Sequence, residues 1–133
     1  MDSATKPRIL IVEDDPDLQL ILTYQLESDG YVIDKAGNGE EAFRHIQDSV
    51  PDCILLDIMM PVMDGFSFLK RLRSVDRTLE VPVIILTASE DRRTPRKSTQ
   101  YLADAFMKKP YDLTALSAKI SELIAASRSA STN

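Results

Sequence analysis

The sequence has few cysteines and no long apolar run, which excludes several common kinds of protein. It has one cysteine, Cys53, in 133 residues, which excludes a disulfide framework or a paired-thiolate zinc site and favours a reducing compartment. We expect Cys53 to be a small buried strand residue. No apolar run approaches the roughly 20 residues that cross a bilayer, and no apolar segment follows the charged N-terminus. We therefore predict a cytoplasmic protein with no membrane partner.

Positive charge is scarce as well. The chain has 16 Lys and Arg against 21 Asp and Glu, a formal net charge of -5. Because binding to a phosphate backbone depends on clustered Lys and Arg, nucleic acid is not expected as a direct partner. Residues 92–100 are a local exception, with four positive charges and no negative ones. They form either a solvated basic face or a docking surface for an acidic partner.

Short apolar runs alternate with stretches of helical period along a chain of single-domain length. The runs are of strand length and lie at residues 9–12, 31–33, 53–56, 83–86 and 105–107. Continuously apolar strands indicate burial on both faces, as in a parallel sheet covered by helices. The sequence therefore predicts a doubly wound α/β domain, a flavodoxin-like (β/α)5 fold with a five-stranded parallel sheet and helices on both faces. We place this domain at 7–126, after a disordered segment 1–6 and before a polar tail 127–133.

The stretches between the runs have apolar residues at helical spacing. Their stripes are Leu18, Ile21, Leu22 and Leu26; Ala42, Phe43 and Ile46; Phe66, Leu69 and Leu72; and Leu113, Leu116, Ile120, Leu123 and Ile124. Asp15 and Pro16 are typical of a helix start, Gly30 of a helix end, and residues 39–41 of an acidic first turn. A fourth helix is expected within 92–101, but that stretch lacks an apolar stripe, so we predict a short or irregular segment.

Polar and charged residues follow four of the runs at the points where the strands should end. They are Glu13, Asp14 and Asp15 after the first run, Asp57 after the third, Thr87 after the fourth, and Lys108 and Lys109 after the fifth. Ligands of an open parallel sheet collect at the carboxyl ends of its strands, so these side chains should converge at one edge. Each has an ordinary alternative as a helix cap, a strand residue or a solvated charge, but their coincidence favours a site.

The chemistry of this set favours phosphoryl transfer. Carboxylates about 5 Å apart repel by roughly 3 kcal/mol at an effective dielectric near 20, so three of them need a cation or protons. An all-oxygen set with few carboxylates suits Mg²⁺ better than Ca²⁺. Lys109 and Thr87 would contact phosphoryl oxygens. Asp57 would be the nucleophile that forms an acyl phosphate.

Four stretches give the chain a resemblance to a known family. "ILIVEDD", "ILLDIMMPVMDG", "VPVIILTA" and "FMKKP" occur in the order and spacing of that family. Over about residues 7–126, the chain resembles the receiver domain of two-component response regulators, in the stand-alone form of chemotaxis-type regulators. The resemblance implies that a sensor histidine kinase or a histidine phosphotransfer protein passes its phosphoryl group to Asp57.

The resemblance also implies how the metal is held. Asp14 and Asp57 would bind Mg²⁺ directly, together with the backbone carbonyl of Met59. Glu13 would contribute through a water molecule. Asp15 would be left to cap a helix.

By the same resemblance, the phosphoryl group would meet Lys109, Thr87 and Ala88, with a cis peptide bond before Pro110 that directs Lys109 inward. On phosphorylation Thr87 would move toward the phosphoryl oxygens, and Phe106 would rotate inward. The surface that changes would comprise the fourth helix, the fifth strand and the fifth helix, and a homodimer through this face is a further expectation. Residues 102–103 are Leu-Ala where receivers usually have Gly-Ala, so the turn before the fifth strand is expected to differ.

The predicted function is therefore a phosphorylation-controlled binding module, with no enzymatic activity beyond its own phosphotransfer and slow autodephosphorylation. The sequence does not identify its downstream protein target. The alternatives are a phosphorelay intermediate, or a receiver excised from a larger regulator or hybrid kinase. A Mg²⁺-dependent aspartyl phosphatase is less favoured because Met59 stands where its general acid would be needed. A flavodoxin-like FMN carrier would need an uncharged phosphate loop, and a docking-only receiver would not need a complete acceptor site.

Overall fold

A five-stranded sheet lies at the centre of the protein. The structure, a computed structural model, describes residues 6–57, 65–87, 103–108 and 112–131. The strands are β1 (Arg8–Val12), β2 (Val32–Ala36), β3 (Cys53–Asp57), β4 (Val83–Thr87) and β5 (Ala105–Lys108). Their order is β2-β1-β3-β4-β5, and each neighbouring pair is parallel. The predicted five-stranded parallel sheet is confirmed.

Helices connect the strands and cover the sheet. They are α1 (Pro16–Ser28), α2 (Gly39–Asp48), α3 (Gly65–Arg73), a 3₁₀ helix (Asp76–Thr78) and the C-terminal helix (Leu113–Ser131). Among the described residues, none of these helices is both long and apolar enough to span a bilayer. The connection between β4 and β5 is residues 88–104, and of these 88–102 lie outside the described residues. The expectations for a short or irregular fourth helix within 92–101 and for a basic surface at 92–100 fall there.

The ends of the first two helices follow from their sequence. The Asp15 carboxylate accepts hydrogen bonds from two backbone N–H groups of the first turn of α1. Asn38 caps α2 by accepting from the N–H of Glu41 at 2.9 Å. After α1, Gly30 has a φ of 99°, a conformation that glycine adopts without the steric cost a side chain would bring. The predicted start and end of the first helix are confirmed.

The core has two apolar layers, one on each face of the sheet. One layer packs the sheet against α2 and α3, with Leu10, Val12, Ala42, Phe43, Ile54, Leu56, Phe68 and Leu69 among its members. The other packs it against α1 and the C-terminal helix, with Ile9, Ile11, Leu22, Leu26, Leu55, Leu116 and Ile120 among its members. All five residues of β3 are buried. Burial on both faces is the reason the central strands read as continuous apolar runs.

The second strand differs from its prediction. It spans Val32–Ala36 and not residues 31–33. Asp34 and Lys35 interrupt the apolar run, but β2 is an edge strand and its polar side chains have access to solvent or to a partner. Asp34 uses this position to pair with Arg8 across the two strands, at 2.8 Å between Nη1 and Oδ2.

The outer face of α1 also differs from its prediction. Ile21 was expected in the buried stripe, but its side chain is 52% exposed, because the sheet is covered by Leu22 and Leu26 instead. Leu20 and Tyr24 are 64% and 78% exposed on the same outer face. Helix α1 is therefore apolar on both sides, and only one side faces the core.

The C-terminal helix continues beyond Ile124, the last residue of its predicted apolar stripe. It extends to Ser131, past the point where the polar tail was predicted to begin. Residues 125–131 read AASRSAS, and alanine has the highest helix propensity of any residue, with arginine close behind. A helix can therefore continue here without burying further large side chains.

Cys53 is fully buried in β3, as predicted. Its thiol is held in its neutral form, because burial raises its pKa far above the ordinary value and the nearby Asp104 carboxylate adds to that effect. Cys53 is therefore a packing residue.

Arg73, the last residue of α3, connects three elements at the amino edge of the sheet. Its Nη1 donates to the carbonyls of Thr78, Leu79 and Val81 at 3.1, 2.9 and 2.7 Å. Its Nη2 contacts the Asp104 carboxylate at 3.2 Å, and the same carboxylate oxygen accepts from the N–H of Val83 at 2.8 Å. One guanidinium thus joins the loop after α3 to the start of β4 and to the residue before β5.

We predict that Arg73→Met lowers the free energy of unfolding by about 2 kcal/mol, because it removes a charged donor that serves several part-buried carbonyls. Arg71→Met is the matched control on the same helix. Arg71 is half exposed, pairs with Glu40 and lies over the Phe43 ring, so its loss should cost less than about 1 kcal/mol. Urea unfolding of both variants measures the difference, and equal costs would contradict the role given to Arg73.

Candidate functional site

Three carboxylates meet at the carboxyl edge of the sheet. Glu13, Asp14 and Asp57 each offer an oxygen, and these oxygens all lie within 4.8 Å of one another. Strand pairing produces this arrangement. Val12 pairs with Leu56 across β1 and β3, so Glu13, directly after β1, and Asp57, the last residue of β3, bring their carboxylates to the same place. Glu13 and Asp57 are buried, at 1% and 5% exposure, whereas Asp14 is exposed.

Hydrogen bonds fix the backbone around this acidic cluster of Glu13, Asp14 and Asp57. The N–H of Glu13 donates to the carbonyl of Ala36 at the end of β2, at 2.9 Å. The Glu13 carboxylate accepts from the N–H of Asp15 at 3.1 Å. Asp15 itself turns away to cap α1, which confirms its predicted capping role. In the segment after β1, the Glu13 carboxylate thus accepts a backbone hydrogen bond within the segment, whereas the Asp15 carboxylate caps α1.

Three carboxylates this close together favour a cation beside them. At an effective dielectric near 20, two carboxylates about 5 Å apart repel by roughly 3 kcal/mol, and here a third is added. The donors are all oxygens, which suit a hard divalent cation, and three carboxylates leave room for the waters that Mg²⁺ retains. Asp14 is exposed, so its carboxylate can contact a hydrated ion that arrives from solvent. The residues present therefore fit Mg²⁺.

The structure places part of the remaining predicted site. Asp57 pairs with Leu86, so Thr87 follows one residue later in β4, at the same edge of the sheet. Thr87 in turn pairs with Lys108, which brings the end of β5 beside it. Phe106 lies on this edge strand and is 37% exposed. The predicted Met59, Ala88, Lys109 and Pro110 lie outside the described residues.

Sequence reasoning missed Gln19. Its side-chain Nε2 donates to the carbonyl of Glu13 at 2.7 Å and to that of Ala36 at 3.1 Å. The sequence did indicate that Gln19 lies on the side of α1 that faces the sheet, because it precedes the buried Leu22 by three residues. A polar residue on a core-facing stripe needs a buried partner, but the sequence does not say which one.

A family model settles what kind of domain carries this cluster. The model for the response regulator receiver domain matches residues 9–121. The chain belongs to this family. Receiver domains belong to two-component signalling systems and bind Mg²⁺ in an acidic pocket, and this structure has an acidic cluster that could hold a metal.

Individual relatives agree with this receiver assignment. The chain is 35% identical over 118 residues to the DNA-binding dual master transcriptional regulator RpaA of Synechocystis, covering 89% of this chain and 49% of that protein. It is 32% identical over 118 residues to the phosphate regulon regulatory protein PhoB of Rhizobium meliloti, covering 89% of this chain and 52% of that protein. The receiver thus spans about half the length of the curated relatives it matches.

A solved structure shows the same fold. The signal receiver domain of a histidine kinase from Syntrophus aciditrophicus superimposes with a TM-score of 0.84 at 35% identity, covering 90% of this chain and 91% of that one. That chain is itself a receiver domain, and the match covers most of both chains.

We predict that Asp14→Asn is more stable than the wild type without Mg²⁺ and less stable than the wild type with it. Without metal, loss of one like charge should raise the free energy of unfolding by about 0.5 kcal/mol, the scale of an exposed charge contact. At a Mg²⁺ concentration one hundred times its Kd, the wild type should gain about 2.7 kcal/mol and the variant much less. Urea unfolding with and without Mg²⁺ measures both effects.

Glu80→Gln is the control for this measurement. Glu80 is exposed in the turn before β4, away from the cluster, and its substitution makes the same change in net charge. It should leave the Mg²⁺ response intact. An equal Mg²⁺ response in wild type and Asp14→Asn would contradict the metal site.

Proposed function

We propose that this receiver accepts a phosphoryl group onto Asp57 from the phosphohistidine of a sensor histidine kinase or a histidine phosphotransfer protein, and that Mg²⁺ is required. The observation that carries the proposal is the convergence of Glu13, Asp14 and Asp57 within 4.8 Å. The solved receiver domain of sensor histidine kinase PA1611 from Pseudomonas aeruginosa, 29% identical with a TM-score of 0.82 over 91% of this chain and 99% of that one, has magnesium coordinated in its active site cleft. The same ion is assigned here to Asp14, Asp57 and the carbonyl of Met59, with Glu13 acting through water.

The transfer needs a nucleophile and charge neutralisation more than it needs acid–base chemistry. A Mg²⁺ ion bound by the cluster would supply the positive charge that lets two anions approach. An Asp57 carboxylate oxygen attacks phosphorus, the P–N bond of the donor breaks, and the imidazole nitrogen keeps the electron pair. The product is an acyl phosphate on Asp57. Lys109, Thr87 and Ala88 contact the phosphoryl oxygens in this proposal.

The output of the phosphorylated state is a change of protein contacts. Thr87 approaches the phosphoryl group, and Phe106 turns inward from its exposed position on edge strand β5. The responding face then includes β5, the C-terminal helix and the segment within 92–101, and it contacts a downstream protein or a second copy of this chain. The function is signalling in the cytoplasm, with catalysis limited to self-phosphotransfer and slow autodephosphorylation.

The outer face of α1 supports contact with a phosphodonor protein. It begins directly after the acidic cluster and exposes Leu20, Ile21 and Tyr24, with Asp17 among them. Helix α1 has no basic residue, so a second copy of the chain would bring like charges together. An apolar donor surface with a basic rim complements this face.

Three ways of using the phosphoryl group are compatible with the proposed site: control of an attached effector, a stand-alone module and a phosphorelay intermediate. RpaA is a DNA-binding regulator about twice as long as the aligned segment, which favours a receiver that controls an attached effector. A stand-alone module or a phosphorelay intermediate would use the same site and differ only in its partner. A Mg²⁺-dependent aspartyl phosphatase is disfavoured because Met59 cannot serve as a general acid.

We predict a Mg²⁺-dependent gain of about 80 Da, the mass of one phosphoryl group, when the protein is incubated with acetyl phosphate and its intact mass is measured. Asp57→Asn should abolish the gain. Asp52→Asn is the matched control, since Asp52 lies at the opposite end of β3 and its side chain caps the N–H of Arg8; it should be labelled like the wild type. Equal labelling of Asp57→Asn would refute the acceptor assignment.

A further inference from the structure

The side chain of Gln19 lies where strand pairing stops. The paired residues of β1 end at Val12 on both sides, and the N–H of Glu13 makes one further backbone hydrogen bond to β2. Beyond this point the carbonyl of Glu13 accepts from Gln19 Nε2 at 2.7 Å. The same nitrogen donates to the carbonyl of Ala36 at 3.1 Å, which already accepts from the N–H of Glu13. The side-chain amide of Gln19 thus bridges the carbonyl of Glu13, just after β1, and the carbonyl of Ala36, at the end of β2.

The bond from Gln19 acts on one particular peptide group. The carbonyl of Glu13 belongs to the peptide that joins Glu13 to Asp14, and a peptide group is planar. Holding its oxygen therefore restricts the backbone torsions on both sides, which set the directions of the two carboxylates. A rotation of this peptide would therefore change the distance between the two carboxylates, which lie within 4.8 Å of each other.

Gln19 is itself held firmly. Its N–H donates to the carbonyl of Asp15 at 3.0 Å, and its carbonyl accepts from the hydroxyl of Thr23 at 2.7 Å. Asp15 also caps α1. The amide of Gln19 therefore projects from the first turns of a capped helix toward the cluster, and a donor on a rigid element can transmit that rigidity to the peptide it binds.

We propose that Gln19 is a positioning residue for the Mg²⁺ site: by holding the peptide between Glu13 and Asp14, it keeps their carboxylates in the arrangement that binds the ion. This role rests on the proposed function, because it concerns the same metal site. It places Gln19 outside the set of ligands, among the groups that orient ligands through hydrogen bonds. Loss of such an outer partner typically weakens metal binding 10- to 100-fold.

Gln19→Met tests the role with little change of shape. Methionine is unbranched, similar in length and a good helix former, but it has no N–H donor for the two carbonyls. Gln25→Met is the matched control, since Gln25 lies on the same helix and, within the part of the chain that the structure describes, its amide donates to the exposed Asp29 carboxylate, at 3.3 and 3.4 Å. Both substitutions remove one glutamine amide from α1.

The first readout is the Kd for Mg²⁺, measured by calorimetric titration at a temperature where thermal unfolding shows each protein to be fully folded. We expect Gln19→Met to bind Mg²⁺ about tenfold more weakly than wild type and Gln25→Met to stay within about twofold. A residue with only a structural role would lower the unfolding temperature without changing the Kd of the folded protein. The second readout is amide hydrogen exchange in the metal-free proteins, which should be faster at Glu13 and Asp15 in Gln19→Met and unchanged at Leu55 in the core.

Two results would overturn the proposal. One is a Kd for Gln19→Met within about twofold of wild type, and the other is unchanged exchange at Glu13 and Asp15. Wild-type protein that binds no Mg²⁺ would instead contradict the proposed function, and the positioning role would fall with it. The wild-type titration tells these failures apart, because a failure confined to Gln19 leaves wild-type binding intact.

Discussion

Repulsion between three carboxylates at the ends of two adjacent strands is the constraint on which the rest of the site depends. Glu13 and Asp57 are almost completely buried, and charges removed from water interact more strongly than charges on the surface. A fold organised only for stability would not place a third carboxylate, Asp14, beside them. The arrangement is understandable if a cation is bound there, since its positive charge offsets the repulsion between the carboxylates.

The fold holds this unfavourable arrangement by fixing everything around it. The β3 strand that carries Asp57 is buried along its whole length between two apolar layers. The turn that carries Glu13 and Asp14 is tied to Ala36 at the end of β2 and to the start of α1. The stability of the sheet and helices thus compensates for the electrostatic repulsion at one edge, as is common at functional sites. The same edge is where parallel sheets bind ligands.

The sequence was sufficient wherever a local signal and the global fold agreed. Asp15 followed by Pro16 marked the start of α1, and the continuous apolar run ending at Asp57 marked a strand buried on both faces. The second strand was placed incorrectly because Asp34 and Lys35 look polar in sequence, and only their edge position makes them compatible with a strand. Ile21 was misassigned because a helix with apolar residues on both sides does not reveal which side is covered.

In the site, too, residues with a local sequence signal could be predicted, and a residue whose partners are distant in sequence could not. The acidic residues could be found because each lies at a strand end, and parallel pairing brings strand ends together. Gln19 could not be assigned a role, because its partners are the carbonyls of Glu13 and of Ala36, which is 17 residues away. Every residue has a backbone carbonyl, so the residue type does not show which carbonyl accepts a side-chain hydrogen bond. This kind of contact is therefore visible only in a structure.

The central claim is that the cluster directs a phosphoryl group to Asp57, and the most direct measurement is to locate that group chemically. After incubation with acetyl phosphate and Mg²⁺, borohydride would reduce an acyl phosphate to an alcohol, and peptide mass spectrometry would identify the residue. The account predicts homoserine at position 57, dependent on Mg²⁺, with Asp14 and Glu13 unchanged. Reduction at Asp14 or Glu13 in place of Asp57 would contradict it.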